Sequence, residues 1–580
     1  MRSAKRPHRP EAEFFADPHD TAQRRYEALR AYFLEGATAA QAAARFGYAQ
    51  ASVQAMVRDF RRGDRDFFAR RRPGPRIAPA KQAARAEVLR LRAAGHSITE
   101  IEQALASTAT PLNRTGIWEL LRDEGFERLP TRPTDQRGGP RRDHPPRTRR
   151  IAWPPQPLRL PCDFAGILLL VPGLVALDLP TAVTAAHFPG TREVPALCSV
   201  LSLLALKATG RRRVSHVDDV ATDPALATFA GLESLPKATA LGTYSYRLAR
   251  HHDQALLAAL GPAMIRTGQA AGTDFDLDFH AIMHYGEDVA LETHYVPRRS
   301  QRTESVLTFF AQDGQTHNLV YANADLHKAA QAGEVMAFAR HWEAATGKLP
   351  QLLVFDAKVT TGAGLAELDR AGIRFLTLRA RSPKLLAVLD ALPATAWTRV
   401  TLDRTGPYRH PHVHEDQVTV RGCPVALRQL AVRGLGHDQP TLILTNDHTA
   451  KPAKLIDRYA KRMTIEQRLA EQIRSFHLDA FSSAVALNVD LDTTLTVWAQ
   501  AAYDALRRRL PGYATATPDT IWRRFISTKG HLTLGPTEVV AQIAERTYSP
   551  VLRSADLPEV EVPWWGGRRL RFEIAVGKTK

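Results

Sequence analysis

Residues 272–282 read GTDFDLDFHAI. Asp274, Asp276 and Asp278 alternate with Phe275, Leu277 and Phe279, so on a β-strand the three carboxylates share one face and the apolar groups the other. Like charges that close repel one another, and the arrangement lasts only where water dilutes the repulsion or a cation neutralises it. Further along, LLVFD places Asp356 at the C-terminal end of an apolar strand, where ligands and catalytic groups of open α/β sheets gather. Glu466 completes the set: with Tyr459 and Arg462 it stands at i, i+3 and i+7, on one helical face. Two Mg²⁺ ions held by Asp, Asp and Glu can activate an attacking hydroxyl and stabilise the leaving oxygen in phosphodiester chemistry. A long cation beside them can hold a phosphate or orient the Glu.

The elements that must position these residues read as α/β. Strands are expected over 274–284, 289–296 and 305–313, then a long helix over 325–346, a strand over 349–356, a short helix near 362–371 and a strand over 373–380. That order matches the ribonuclease-H-like plan, a sheet covered on both faces. Residues 384–450 carry short β-prone runs such as QVTVRGCPVALRQLAV and read as an inserted β subdomain. The helix of Glu466 follows within 451–490, and 491–580 forms a C-terminal region with a helix near 492–509.

Upstream, residues 1–128 show the punctuation of two tandem helix-turn-helix units, with breaks at Gly36, Gly47 and Gly95, Thr38 as an N-cap and a Ser97-x-x-Glu100 capping box. Residues from Gln50 to Arg62 are the expected recognition helix of the first unit. The chain carries 78 Lys and Arg against 60 Asp and Glu, a net charge of +18. Residues 1–150 hold 30 of the former and 18 of the latter, so about two-thirds of the excess sits there. That is the footprint of a polyanion-binding module. Residues 129–161, rich in Pro and Arg, read as a linker, and 162–270 as a helical intermediate region ahead of the core at 271–383.

With these residues in view the chain resembles the DDE transposases of bacterial insertion sequences, in the group with a β-rich insertion ahead of the catalytic Glu. LLVFDAKVTTGAGLAELDRAGIRFLTLRAR, LILTND and YAKRMTIEQ carry the resemblance, which covers about residues 272–480. Tyr459, Arg462 and Glu466 match a Tyr-x2-Arg-x3-Glu-x6-Lys signature, whose fourth position holds Ile473, with Arg474 next. The resemblance implies a catalytic, metal-binding triad of Asp278, Asp356 and Glu466, with Asp276 as the alternative first carboxylate. It implies DNA placement by Tyr459 and Arg462, a cofactor pair of Mg²⁺ ions for which Mn²⁺ can substitute, and cleavage at element ends with transfer of the 3′-hydroxyl into target DNA. The expected partners are element ends and target DNA, with the protein a homodimer on DNA.

Other readings of the same letters are weaker. An EF-hand loop beginning at Asp274 would need Gly where Phe279 stands and Glu where Tyr285 stands. An Asp-x-Asp manganese site would leave the helix-turn-helix pair and the Tyr-Arg-Glu face unexplained. His410, His412 and His414 lack a fourth ligand and read as loop or strand positions. Arg298, Arg299 and Arg302 are candidates for DNA backbone contact, and Trp564 and Trp565 for a packing anchor. Three widely spaced cysteines, no signal peptide and no apolar run long enough to span a bilayer lead to the expectation of a cytoplasmic, nucleoid-associated protein without a membrane partner. A regulator that has lost chemistry, and a nuclease that cuts without joining, stay open as alternatives.

Overall fold

The computed structural model describes Pro18 and residues 21–62, 79–126, 148–211, 214–283, 292–296, 301–477 and 489–575. The chain forms two compact units, residues 1–142 and 143–580. In the first, helices run over Thr21–Phe33, Ala39–Phe46 and Gln50–Arg61, then over Pro79–Ala93, Ile98–Leu105 and Arg114–Asp123. Local chemistry sets these bounds. Thr38 and Gln41 form one capping box, Ser97 and Glu100 another, and Asn113 accepts from the Gly116 amide. Gly47 closes the second helix at φ 70°, a conformation that costs glycine nothing. Each triplet buries its own small core, Leu29, Val53, Met56 and Val57 in the first and Val88, Ile101, Ile117 and Leu121 in the second.

The second unit opens with strand β1 (Leu158–Cys162) and a series of helices ending at Arg250–Arg266. Then come β2 (Asp274–Met283), β3 (Glu292–Val296), β4 (Gln301–Asp313) and β5 (Leu319–Leu326). After the helix Glu334–Thr346 follow β6 (Leu352–Phe355), the helix Gly362–Arg370 and β7 (Arg374–Leu378). A helix Pro383–Asp390 leads to β8 (Thr398–Arg399), β9 (His412–Val420), β10 (Cys423–Arg433) and β11 (Thr441–Thr445). Helices Pro452–Lys461, Met463–Phe476 and Val489–Arg507 follow, and then β12 (Gly530–Leu534), β13 (Glu538–Ile543), β14 (Val560–Val562) and β15 (Arg568–Ile574).

Ten strands make one sheet in the order β3-β4-β2-β6-β7-β11-β10-β9-β8, with β5 also on β4. β2 is parallel to β6 and β6 to β7, whereas β2 with β4 and β7 with β11 are antiparallel. A second sheet, β1-β12-β13-β15-β14, pairs the start of this unit with its last residues. Trp564 and Trp565 fix that end by donating their indole N–H groups to the carbonyls of Phe229 and Thr228 at 3.0 and 2.8 Å.

Three expectations change. The helix expected from 325 begins at Glu334, because an unexpected strand, Leu319–Leu326, runs into its first two positions and a turn with a short 3-10 stretch at Gln331–Gly333 fills the gap. Residues 384–450 do not close on themselves: β11 pairs with β7, so the strands of this stretch extend the main sheet. The stretch expected to be linker up to 161 contains β1, whose register on β12 no local pattern encodes. Among the described residues no single helix is long and apolar enough to cross a membrane, although the bent pair Ala165–Ala176 and Leu179–Ala185 passes such a test by length and composition.

Behind β5 lies a buried charge cluster. Arg250 donates to both oxygens of Asp490 at 2.7 Å and to the Ala322 carbonyl at 3.1 Å, while Asp490 also accepts from the Ala324 amide. Asp253, fully buried beside Asp490, has its carboxyl pushed up to about 8 by burial and by that neighbouring carboxylate. The native state therefore keeps a proton that the unfolded chain releases near pH 4, and this group's contribution to stability falls as pH rises from about 4 to about 8. Asp253→Asn removes that slope. The variant is expected to melt at a higher temperature than the wild type at pH 8 and to show no such gain at pH 5, which calorimetry of the full chain at the two pH values checks.

Candidate active site

The parallel register of β2 on β6 does the first positioning. Asp276 lies opposite Val354 and Leu277 opposite Phe355, so one step further brings Asp278 beside Asp356, just past the end of β6. The Asp356 carboxylate accepts its neighbour Ala357's amide at 2.7 Å. The third acid arrives on a different element. Helix Pro452–Lys461 passes through Arg462 into helix Met463–Phe476, which carries Glu466 in its first turn.

Two ion pairs fasten this helix pair to β2. Arg458 donates to Asp276 at 2.7 Å, and Arg462 donates to Asp278 at 3.1 Å. The spacing explains the match: two residues along a strand advance about 6.7 Å and four along a helix about 6 Å, so carboxylates at i, i+2 face cations at i, i+4. Asp276 is fully buried, and Arg458 runs so close to Gly314 that a Cβ there would lie 2.5 Å from its guanidinium. The far end of the Glu466 helix is held by buried Lys207, which donates to the Phe476 carbonyl at 3.3 Å and pairs with Asp492 at 2.6 Å.

Arg462, 5% exposed, bridges the acids: besides Asp278 it approaches Glu466 at 4.0 Å. Burial pushes the Asp278 carboxyl up to about 6; Arg462 draws it down, and Glu466 and Asp356 push it up. Tyr459 sits among the same groups, its hydroxyl pushed up to about 12 chiefly by burial, against the pull of Arg462 and with Asp356, Asp278 and Glu466 adding to the rise. The three carboxylates, the tyrosine and the arginine therefore share one electrostatic neighbourhood. Glu466 is the open member, with its side chain 53% exposed, against 19% for Asp278.

The donor set is all carboxylate oxygen, the kind that suits Mg²⁺ or Mn²⁺. Among the described residues no three His, Cys, Asp or Glu side chains yet converge closely enough to hold a metal ion. The guanidinium of Arg462 is the positive charge nearest Asp278 and Glu466, at 3.1 and 4.0 Å. Asp276 differs from Asp278 in being engaged by Arg458 in the sheet interior.

Other residues named from the sequence fall elsewhere. Arg298 and Arg299 lie outside the described residues, and Arg302 pairs with Tyr295 in the β3–β4 ladder. Ile473 and Arg474 lie in the last turns of the Glu466 helix, with Arg474 exposed. His414 is tied through Nδ1 to the Ala396 carbonyl at 3.0 Å. Sequence reasoning missed Arg458, although the i, i+4 repeat with Arg462 against the Asp alternation was the available signal. It also missed His317, at φ 59°, whose imidazole contacts Gln312 and Thr464 at 3.1 and 3.3 Å beneath the Glu466 helix.

No family model matches the chain, and no curated protein matches it. Among solved structures it is similar to a piggyBac transposase synaptic complex with hairpin DNA determined by cryo-electron microscopy, at 10% identity and a TM-score of 0.29. That alignment covers 64% of this chain and 87% of the other. A likeness at that level carries no argument about activity.

Proposed function

We propose that this chain is a DNA transposase of the DDE type, in which Asp278, Asp356 and Glu466 hold two Mg²⁺ ions, or Mn²⁺ in their place. One observation carries the reading: the β2–β6 register sets Asp278 beside Asp356, and the helix pair pinned to β2 brings Glu466 within 4.0 Å of Arg462, the arginine that pairs with Asp278. Its support in the fold is the run of β2, β4 and β5, antiparallel neighbours, followed by helix, β6, helix and β7 with both strands parallel to β2. From the sequence, 289–296 is expected among the three leading strands; here β5 takes that place and β3 lies at the sheet edge, an arrangement that supports the ribonuclease-H-like reading.

Bound metal supplies activation of the attacking oxygen and neutralisation of the leaving one. The chain's own groups do the rest. Asp278 and Asp356 present oxygens from a rigid sheet, and Glu466 presents its own from a helix anchored at both ends. Arg462 supplies a planar cation for a phosphodiester oxygen, and Tyr459 fills the floor beside it. The two helix triplets of residues 1–142, read as helix-turn-helix units, would bind the element ends, with the basic excess of that region meeting phosphate. Two copies acting on paired ends is the assembly this reading favours, on DNA in the cytoplasm. A second reading, a regulator that binds DNA without cutting it, draws on Ile473 standing where the signature has lysine.

A Mg²⁺-dependent cleavage and strand-transfer assay on DNA carrying the flanking ends of its own gene tests this. Wild type is expected to give joined products, and Asp356→Asn and Glu466→Gln to give none while still binding the ends. Binding without cleavage by wild type in either Mg²⁺ or Mn²⁺ would select the regulator.

Asp276 and Asp278 should separate by stability. Asp276→Asn leaves the Arg458 guanidinium without its counter-ion, a loss of about 3–5 kcal/mol, whereas Asp278→Asn leaves buried Arg462 a second acid in Glu466 at 4.0 Å and should abolish cleavage with a smaller fall in melting temperature. Thermal melts beside the cleavage assay distinguish the two.

A further inference from the structure

Arg462 and Arg458 form two rungs on β2, and the rungs differ. Arg458 meets a fully buried Asp276 at 2.7 Å, deep in the sheet. Arg462 meets Asp278 at 3.1 Å and Glu466 at 4.0 Å, with Glu466 open to solvent. Its Nε is buried with no hydrogen-bond partner among the described residues. A buried donor left unpaired is costly, and the cost disappears if the guanidinium turns onto an acceptor that satisfies the whole fork. A phosphodiester is such an acceptor. Arg462 also stands at the joint between two helices, ending one and starting the next, so its side chain turns without disturbing a helix interior.

The guanidinium cannot vacate the acids by losing its proton, because it stays charged at any accessible pH. A divalent cation bound to Asp278 and Glu466 at carboxylate distances would lie within a few ångströms of that positive charge. The two occupants therefore exclude each other.

We propose that Arg462 is a tethered counter-ion: it neutralises Asp278 and Glu466 in the DNA-free protein and passes to a backbone phosphate when duplex arrives, coupling divalent-cation binding to DNA binding. This rests on the catalytic reading above and adds to it a regulation of the same site. Metal is taken up weakly until DNA is present, so hydrolytic chemistry is withheld from a protein that has nothing to cut. Linkage requires the reverse as well: metal tightens DNA binding by the same factor.

The test is Mn²⁺ binding to the full chain, followed by electron paramagnetic resonance, with and without a blunt duplex of random sequence and with duplex-only binding subtracted. Wild type is expected to bind Mn²⁺ at least about fivefold more tightly with duplex than without it. Arg462→Gln should bind tightly in both conditions, with the effect of duplex gone. Arg462→Met, which keeps most of the side-chain volume and removes the charge, should likewise bind Mn²⁺ without DNA more tightly than wild type, and it carries the test if the Gln variant does not fold.

Variants with wild-type affinity and a wild-type response to duplex would overturn the counter-ion role and leave the catalytic reading intact. Wild type that binds no Mn²⁺ under either condition and cleaves nothing would overturn both.

Discussion

Everything at this site depends on acid that has to be neutralised on the face of a sheet. β2 carries carboxylates on alternate residues beneath a helix layer, where isolated charge is expensive, and the chain answers with arginines from that layer. The answer is geometric as much as electrostatic. Because strand and helix advance at different rates, only the pairing of i, i+2 with i, i+4 keeps both rungs level, and that pairing fixes how the helix lies. Glu466, one turn beyond Arg462, is then brought to the same side of β2 as a by-product of charge neutralisation. A buried ion pair gives little net stability, but it selects one register over its neighbours, which is what a site built from three separate elements needs.

The stretch between β7 and that helix serves the same end by a longer route. Residues 384–450 continue the sheet from β11 outward to β8 and return the chain where Pro452 can start a helix over it. Leu455 and Ile456 of that helix pack with Val354 and Leu376 of the parallel strands and with Leu430 and Ile443 of the added ones. The helix is thus seated partly on the original sheet and partly on its extension, so the added strands support the helix that carries Arg458 and leads to Glu466.

Much of this was legible in advance, and the failures share a cause. Periodicity located β2 and β6, and capping residues located the helices of the first unit to within a few residues, because those signals are local. β5 was lost because a strand buried on both faces has no alternation, and Leu-Val-Tyr-Ala-Asn-Ala reads as well in helix as in strand. The pairing of β11 with β7 and of β1 with β12 depends on residues far apart in the chain. At the site, the acids were visible as a pattern. That Asp276 is spoken for by Arg458 while Asp278 borders Asp356 is a fact about register, and no single strand encodes its neighbour's position.

The pairing of Leu158 in β1 with Leu534 in β12 also sets an order of events in the cell. During synthesis at about 5–20 residues per second, β1 waits roughly 20 to 75 seconds for its partner to leave the ribosome. Throughout that interval the edge of β1 is unsatisfied, and the carbonyls of Thr228 and Phe229 lack the indoles that will cap them. The larger unit therefore closes last, and a chain whose translation stops early cannot close it. The order is built into the topology: the sheet bearing the acids has all its strands by Thr445, while the sheet that holds β1 needs strands from Gly530 onward.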